Sequence, residues 1–305
     1  MERQGIWVGV DLGGSNLRIA ALDRSMRVRK RWRRSGGDWT YEELLRAIAE
    51  GVAQVAPGPG AAAGVGIGVP GLVDPDRGRV AVAPNLPALN GREVGGDLCR
   101  ALGLPVRVEN DVNAIAVGEW AKGAGRGARA LLVMTLGTGV GGGLILDGAL
   151  YRGPDGTAGE VGHMPLRPGG PRCRCGARGC LEVYASATAV VAAARAAGVP
   201  TEGGAAAVAG AARAGDPRAR KVFARAGAAV GVAAAGLVNL LNLDRMVIGG
   251  GLAGAWDLIE PHARRELRRR AFSRPLERFR WAASLLGDDA GVVGAAILAK
   301  ENMGA

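Results

Sequence analysis

Three of the chain's four cysteines stand close together, in RCRCGARGC from 172 to 180. A CxC pair with a third cysteine five residues on has the density of a metal knuckle, because thiolates compete well for zinc. A disulfide, a redox dithiol and unligated thiols are the alternatives. The opening MERQGIWVGV has neither the apolar core nor the small-residue cleavage site of a secretory signal, so a reducing compartment is expected. A metal would need a fourth ligand. Cys99, in LCRALGLPV, reads as a small core hydrophobe on an amphipathic helix. His163, in GEVGHMPL, precedes a Pro/Gly-rich loop that could fold Cys173, Cys175 and Cys180 back upon it. Four protein ligands would make the metal structural, since no position is left open for a reactant.

A second kind of chemistry is written in glycine. DLGGSNLRIAAL and TLGTGVGGGLIL each run a strand into a glycine turn and out along another strand. Such a turn lets backbone N–H groups approach a polyanion with no Cβ in the way. Gly13 and Gly14 make the first; Gly137, Gly139, Gly141, Gly142 and Gly143 make the second. Neither has the GK[ST] of a Walker A loop or the helix of a dinucleotide fingerprint, and each alone is equally a tight hairpin. A third cluster, VIGGG at 247–251, follows a strand and precedes a helix, where it could admit the flat face of a nucleoside. Asp11 ends the first strand, where a carboxylate could hold Mg²⁺ through water. Asp111 ends PVRVEND and reads either as a helix N-cap or as a reactive carboxylate, since ENDVN groups acids and amides where open α/β sheets carry their chemistry. Polar side chains able to grip hydroxyls recur at Asn85, Glu160, His163 and Glu182.

These residues need a frame. β-Branched and alternating patterns place strands at IWVGVDL, LRIAALD, AGVGIGV, PVRVEN, ALLVMTL, GGGLILDG and DRMVIGG. Helical patterns fill the intervals: YEELLRAIAEGVAQV, REVGGDLCRALG, NAIAVGEWAKG, two long runs between 184 and 242, WDLIEPHARRELRRR and AGVVGAAILAK. The interleaving is that of an α/β protein. At 305 residues two lobes are expected. GAGRGAR at 123–129 is the candidate boundary, giving lobes at 1–122 and 123–305, with a last helix at about 289–300 that packs back on the first lobe.

Composition sets bounds. The net charge of +11 suggests a polyanionic partner, but only four of the 39 basic residues are lysine and they follow no stripe outside PHARRELRRRAF. That segment reads as the solvated side of a helix, so no nucleic-acid partner is expected. AGAAVGVAAAGLVNLLNL, 226–243, reaches the lower length for a membrane span, yet Asn239 and Asn242 interrupt it and it continues a charged amphipathic stretch. A buried helix, no membrane and a cytoplasmic location are the expectation.

DLGGSNLR, GVPGLVD, PNLP, ENDVNA, TLGTGVGGG, AGEVGHM, CRCGARGCLE and VIGGG, in this order over nearly the whole chain, resemble the ROK family of bacterial sugar kinases and sugar-responsive repressors. C-x-C-G-x-x-G-C-x-E with G-E-x-G-H is the most specific part. The resemblance implies the actin-like ATPase (ribonuclease H-like) fold, with two lobes and a ligand cleft between them. It implies ATP and Mg²⁺ at Asp11, Gly13, Gly14, Ser15, Thr138, Gly139, Gly141 and Gly142, with Gly249 and Gly250 lining the adenosine pocket. It implies sugar contacts at Asn85, Asn110, Asp111, Glu160, His163 and Glu182, with Asp111 as the base. Cys173, Cys175, Cys180 and His163 match structural zinc ligands, so His163 would serve metal and sugar through its two ring nitrogens. A homodimer or homotetramer is implied as well.

Two positions depart from the pattern. Ser15 stands where many relatives have Thr, which keeps the hydroxyl, and Leu89 stands shortly after PNLP where glucose-phosphorylating relatives often carry an aromatic. The expected reaction is ATP-dependent phosphorylation of a hexose at its 6-hydroxyl, with glucose first, mannose weaker and N-acetylglucosamine poorer. The alternatives are a kinase for another hexose or N-acetylhexosamine, including fructose, and a non-catalytic sugar-binding regulator. A repressor would need a helix-turn-helix ahead of the first glycine turn, and only ten residues precede Asp11.

Overall fold

The computed structural model describes residues 5–14, 16–58 and 60–303; Ser15, expected in the first phosphate turn, lies outside the described residues. In chain order the elements are β1 (Trp7–Leu12), β2 (Asn16–Leu22), β3 (Val28–Ser35), α1 (Tyr41–Val55), β4 (Gly64–Val69), β5 (Leu72–Asp74), β6 (Arg79–Val82), α2 (Val94–Leu102), β7 (Val106–Asn110) and α3 (Asp111–Lys122). There follow β8 (Ala130–Leu136), β9 (Val140–Leu146), β10 (Ala149–Tyr151), α4 (Glu182–Ala185), α5 (Ala187–Ala196), α6 (Gly204–Arg213) and α7 (Pro217–Leu241). The chain closes with β11 (Arg245–Gly249), α8 (Trp256–Arg270), α9 (Ser273–Arg278), β12 (Arg280–Ala283) and α10 (Ala290–Met303).

Two compact units result: unit 1 is residues 1–126, 150–158 and 286–305, and unit 2 is residues 127–149 and 159–285. Both are built on a five-stranded sheet of one plan, β3-β2-β1-β4-β7 and β10-β9-β8-β11-β12. In each, an antiparallel pair around a glycine turn (β1–β2, β8–β9) continues into two parallel strands. The segment 150–158, expected within the second lobe, belongs to unit 1, where Arg152 pairs with Glu109 of β7.

In unit 1, β4 (GVGIGV) is buried along its whole length, as a parallel strand covered on both faces must be. Register aligns Asp11 with Gly68 and Val69 with Asn110, so the carboxyl ends of β1, β4 and β7 present Asp11 and the start of α3 along one sheet edge. α1 begins in a capping box between Thr40 and Glu43 and buries Leu44, Ile48 and Val52. α10 packs without side chains in between: a Cβ on Gly9 would overlap the carbonyl of Val292, one on Gly66 that of Ala295, and one on Gly118 of α3 that of Ala290. Gly294 of α10 returns the contact against the Ala114 carbonyl.

Unit 2 repeats the device where Gly227 and Gly231 of α7 meet the carbonyls of Ile259 and Ala263 in α8. Among the described residues α7 is the one helix long and apolar enough to cross a membrane, and half of that apolar window is buried in the protein's own core. The two long runs expected between 184 and 242 are four helices. Ser186 caps α5 by accepting the Ala189 N–H at 3.0 Å, Gly198, Gly203 and Gly204 take positive φ between α5 and α6, and Asp216-Pro217 starts α7 after Gly215. Cys99 is exposed rather than in the core, because α2 turns Val94, Gly95 and Leu98 inward.

The Gly66→Ala variant forces a methyl into a backbone contact and is expected to lose about 1–3 kcal/mol or more. Gly37→Ala, where a Cβ meets nothing within 4 Å, is expected to stay within about 0.5 kcal/mol. Equilibrium denaturation of the two variants measures the difference, and equal stabilities would refute the packing account.

Candidate functional site

The unit 1 groups sit at the carboxyl ends of its strands. Asp11 is buried one residue before the end of β1, and the Arg18 guanidinium on the paired strand reaches its carboxylate at 3.3 Å. Burial raises Asp11 above the ordinary carboxylate range, and Arg18 opposes that shift. The Gly13 N–H donates to the Asn16 carbonyl at 2.8 Å and closes the turn. A Cβ on Gly13 or Gly14 would meet no protein atom closer than 3.6 Å, so the packing does not demand glycine there; its effect is to leave the turn's backbone bare to a ligand. Asn85 is exposed and lies beside Gly14. Leu89, a candidate specificity position by sequence, is fully buried in the unit 1 core and presents no surface to a ligand.

ENDVN resolves into distinct parts. Asn110, not Asp111, is the N-cap of α3: its Oδ1 accepts the N–H groups of Val112 and Asn113 at 2.9 and 3.0 Å. Its Nδ2 donates to the Gly71 carbonyl at 3.0 Å. Asp111 is the first helical residue, half-buried, and its Oδ1 accepts the Val112 N–H at 2.9 Å. Glu109 and Asn113, grouped with them by sequence at the sheet mouth, are instead buried, each 2% exposed.

In unit 2 the second glycine turn is gripped by one short stretch of chain. Glu182 Oε2 accepts the Val140 N–H at 3.1 Å, the Ala187 N–H donates to the Gly137 carbonyl at 2.7 Å, and Thr188 Oγ1 donates to the Thr138 carbonyl at 2.8 Å. A Cβ on Gly139 would lie 2.5 Å from Glu182 Oε2, so a side chain there would push that carboxylate off the turn. Gly142 on β9, next to Gly141, meets the Gly159 carbonyl with equally little room. At the third cluster Gly249 ends β11, and Gly250, at φ 81°, lies against the backbone of Leu136. Of these contacts the sequence signalled the glycines but not Thr188, Ala187 or Arg18, which carry no motif of their own.

The fold brings His163, Cys173, Cys175 and Cys180 together, their ligand atoms within 4.8 Å of one another. Cys175 and Cys180 sulfurs are 3.7 Å apart, and His163 Nδ1 is 3.6 Å from Cys173 Sγ. Ligands at about 2.3 Å for sulfur and 2.1 Å for nitrogen around a tetrahedral ion would stand roughly 3.5–3.8 Å apart, so the four groups fit one. The Ala177 N–H lowers the Cys175 thiol, while burial and its neighbouring thiols push Cys180 up to about 12. With Nδ1 turned to the knuckle, His163 Nε2 faces Glu160 Oε2 at 3.8 Å. Partial desolvation raises Glu160; His163 opposes the shift and Glu182 adds to it. Glu182 follows the last cysteine by two residues and its Oε1 is 3.9 Å from Cys173 Sγ. One small cluster in unit 2 thus carries a Cys3His set that could hold a metal, two carboxylates and the brace of a glycine turn.

The chain is similar to known proteins over nearly its whole length. The ROK family model matches residues 7–302. The glucokinase of Thermotoga maritima is 35% identical over 97% of this chain and 98% of its own. An N-acetylgalactosamine kinase of a Shewanella species is 34% identical over 83% of this chain and 84% of its own. Among solved structures, a ROK family glucokinase from Streptomyces griseus in complex with glucose and AMPPNP matches at a TM-score of 0.85 and 34% identity, over 97% of this chain and 100% of that one. The fold is that of the actin-like ATPases.

Metal analysis of the purified protein is expected to find about one divalent ion per chain, and Cys175→Ser to bind markedly less. Undiminished metal in that variant would remove the knuckle as its site.

Proposed function

The chain belongs to the ROK family, and we propose that it is an ATP-dependent hexokinase that transfers the γ-phosphoryl group to the 6-hydroxyl of glucose. The observation that carries this reading is Asp111, half-buried on the first turn of a helix whose cap is a separate residue. A carboxylate on the first turn of a helix that another residue caps can accept the proton of the attacking hydroxyl. Its role as base rests on the family match and on this placement.

Phosphoryl transfer needs positioning and charge stabilisation more than covalent chemistry. The bare N–H groups of the turns at Gly13–Gly14 and Thr138–Gly142 suit the phosphates, and Gly249–Gly250 suits the adenosine. Mg²⁺, when bound with ATP, supplies charge neutralisation on the phosphates. Asp11 suits it through water, with one oxygen already held by Arg18. Zinc suits the Cys173, Cys175, Cys180 and His163 set, closed and structural. Asn85, Asn110, Glu160, His163 and Glu182 are the partners for the sugar's other hydroxyls; of these Asn110 has its carbonyl oxygen committed to the cap, which leaves an amide hydrogen for the sugar. Metal loss would disturb sugar binding through His163 and Glu182 together. The enzyme is read as a cytoplasmic homodimer or homotetramer that takes small-molecule partners only.

Glucose is favoured because a site that hydrogen-bonds hydroxyls discriminates against a substrate leaving buried polar groups unpaired. The N-acetylhexosamine alternative keeps one support, since the Shewanella enzyme is nearly as similar as the Thermotoga one.

A coupled nucleotide-turnover assay over glucose, mannose and N-acetylglucosamine is expected to rank kcat/KM in that order; a higher value for either of the last two rejects glucose while leaving a sugar kinase. Asp111→Asn is expected to lower kcat by about 10²–10⁴-fold with the fold intact, and near-normal turnover would exclude Asp111 as the base. Cys175→Ser is expected to lose zinc and glucose affinity together, and normal affinity without metal would separate the knuckle from the sugar.

A further inference from the structure

Glu109 is a buried carboxylate on β7, on the strand face that alternation gives to Arg107 rather than to the valines. It follows Val106 and Val108 on β7, its side chain is 3% exposed, and it precedes Asn110 and Asp111 directly. A buried carboxylate costs several kcal/mol unless its oxygens are satisfied, and here both are. Oε1 accepts the Asn110 N–H and Asn113 Nδ2, each at 3.1 Å. Oε2 accepts Arg152 Nε at 2.7 Å. The first two donors flank Asp111, one on the cap residue and one on the first turn of α3.

Arg152 comes from the short segment 150–158, which unit 1 recruits from between two stretches of unit 2. That segment closes on itself through the Ala158 N–H to the Arg152 carbonyl at 2.9 Å. Gly156, at φ 80°, lies close to the Val73 carbonyl. The guanidinium is therefore presented by an ordered loop. Replacing such a pair by apolar residues is often neutral or stabilising, so its presence is not explained by stability.

We propose that Glu109 and Arg152 are positioning residues for Asp111: the carboxylate ties the cap residue Asn110 to Asn113 on the first turn, on either side of the base, and Arg152 holds that carboxylate in place. The inference rests on the reading of Asp111 as the base. Without Arg152, Glu109 is a buried, unpaired charge that pulls out of the clamp toward water, and α3 loses the tie that aims Asp111. Both residues act here through Asp111, so the loss is expected in turnover rather than in sugar affinity.

The test measures kcat and glucose KM for Arg152→Met, Arg152→Lys and the double variant Glu109→Gln with Arg152→Met, each with and without Asp111→Asn. Arg152→Met is expected to lower kcat by about 10–100-fold, the scale of a misplaced catalytic group, with KM within about threefold. Arg152→Lys restores part of the loss because the charge returns. The double variant also restores part, because the glutamine amide stays in the clamp and no charge is left buried alone. In the Asp111→Asn background Arg152→Met adds no further loss, since the base it aims is gone. Unchanged kcat in Arg152→Met, or an equal fold-loss with and without Asp111, overturns the proposal. Should Arg152→Met fail to fold, the lysine and double variants decide it: a loss in either that persists undiminished on Asp111→Asn overturns it. Absence of ATP-dependent hexose turnover in the wild type would instead overturn the kinase reading itself.

Discussion

Backbone-to-backbone contact between α10 and the sheet of unit 1 governs where its functional groups stand. Gly9 on β1, Gly66 on β4, Gly118 on α3 and Gly294 on α10 remove the Cβ at four points of the interface, so there the helix backbone lies directly on the strands and on α3. Close-packed interiors transmit small displacements. Asp11 lies one residue before the end of β1, and Gly291 of α10 approaches its carboxylate so closely that a Cβ there would meet it at 2.7 Å. Asp111 opens α3, and a Cβ on Gly68 of β4 would lie 3.2 Å from its Cα. Both carboxylates are thus placed by glycines that never touch a ligand.

Unit 2 reaches the same end by other means. Its glycine turn is not pressed against a helix but tied down by polar atoms of residues 182–188, beginning two residues after Cys180. The Cys3His set beside that brace puts one short stretch of chain in contact with both the cysteine cluster and the glycine turn. A loop rich in glycine, proline and arginine has little apolar surface to order it, which is why a tetrahedral ligand set is an efficient means of doing so.

The legible parts of the fold were those with strong local signatures. Seven strands stood out because buried strands are β-branched, and α1 because its capping box is local. β3 was missed, since VRKRWRRS is charged along both faces of an edge strand, where charge guards against unwanted pairing. The break of 184–242 into four helices was missed because alanine favours helix on both sides of each glycine. In the site, residue types could be read but their division of labour could not. Capping by Asn110 rather than Asp111 depends on one backbone turn, and the burial of Glu109 depends on Arg152, some forty residues away in sequence. Cys99, expected in the core, is exposed because helix phase, not residue type, decides which side faces in.

The place of α10 also has a consequence in time. Its residues cover β1 and β4, yet they are synthesised more than two hundred positions after β4. At about 5–20 residues per second, the ribosome takes on the order of tens of seconds over that interval, during which the apolar strands of unit 1 exist without their covering helix. All of unit 2 emerges first. The nascent chain therefore holds an unfinished first unit beside a complete second one, and chaperones that shield exposed strands have their longest opportunity there.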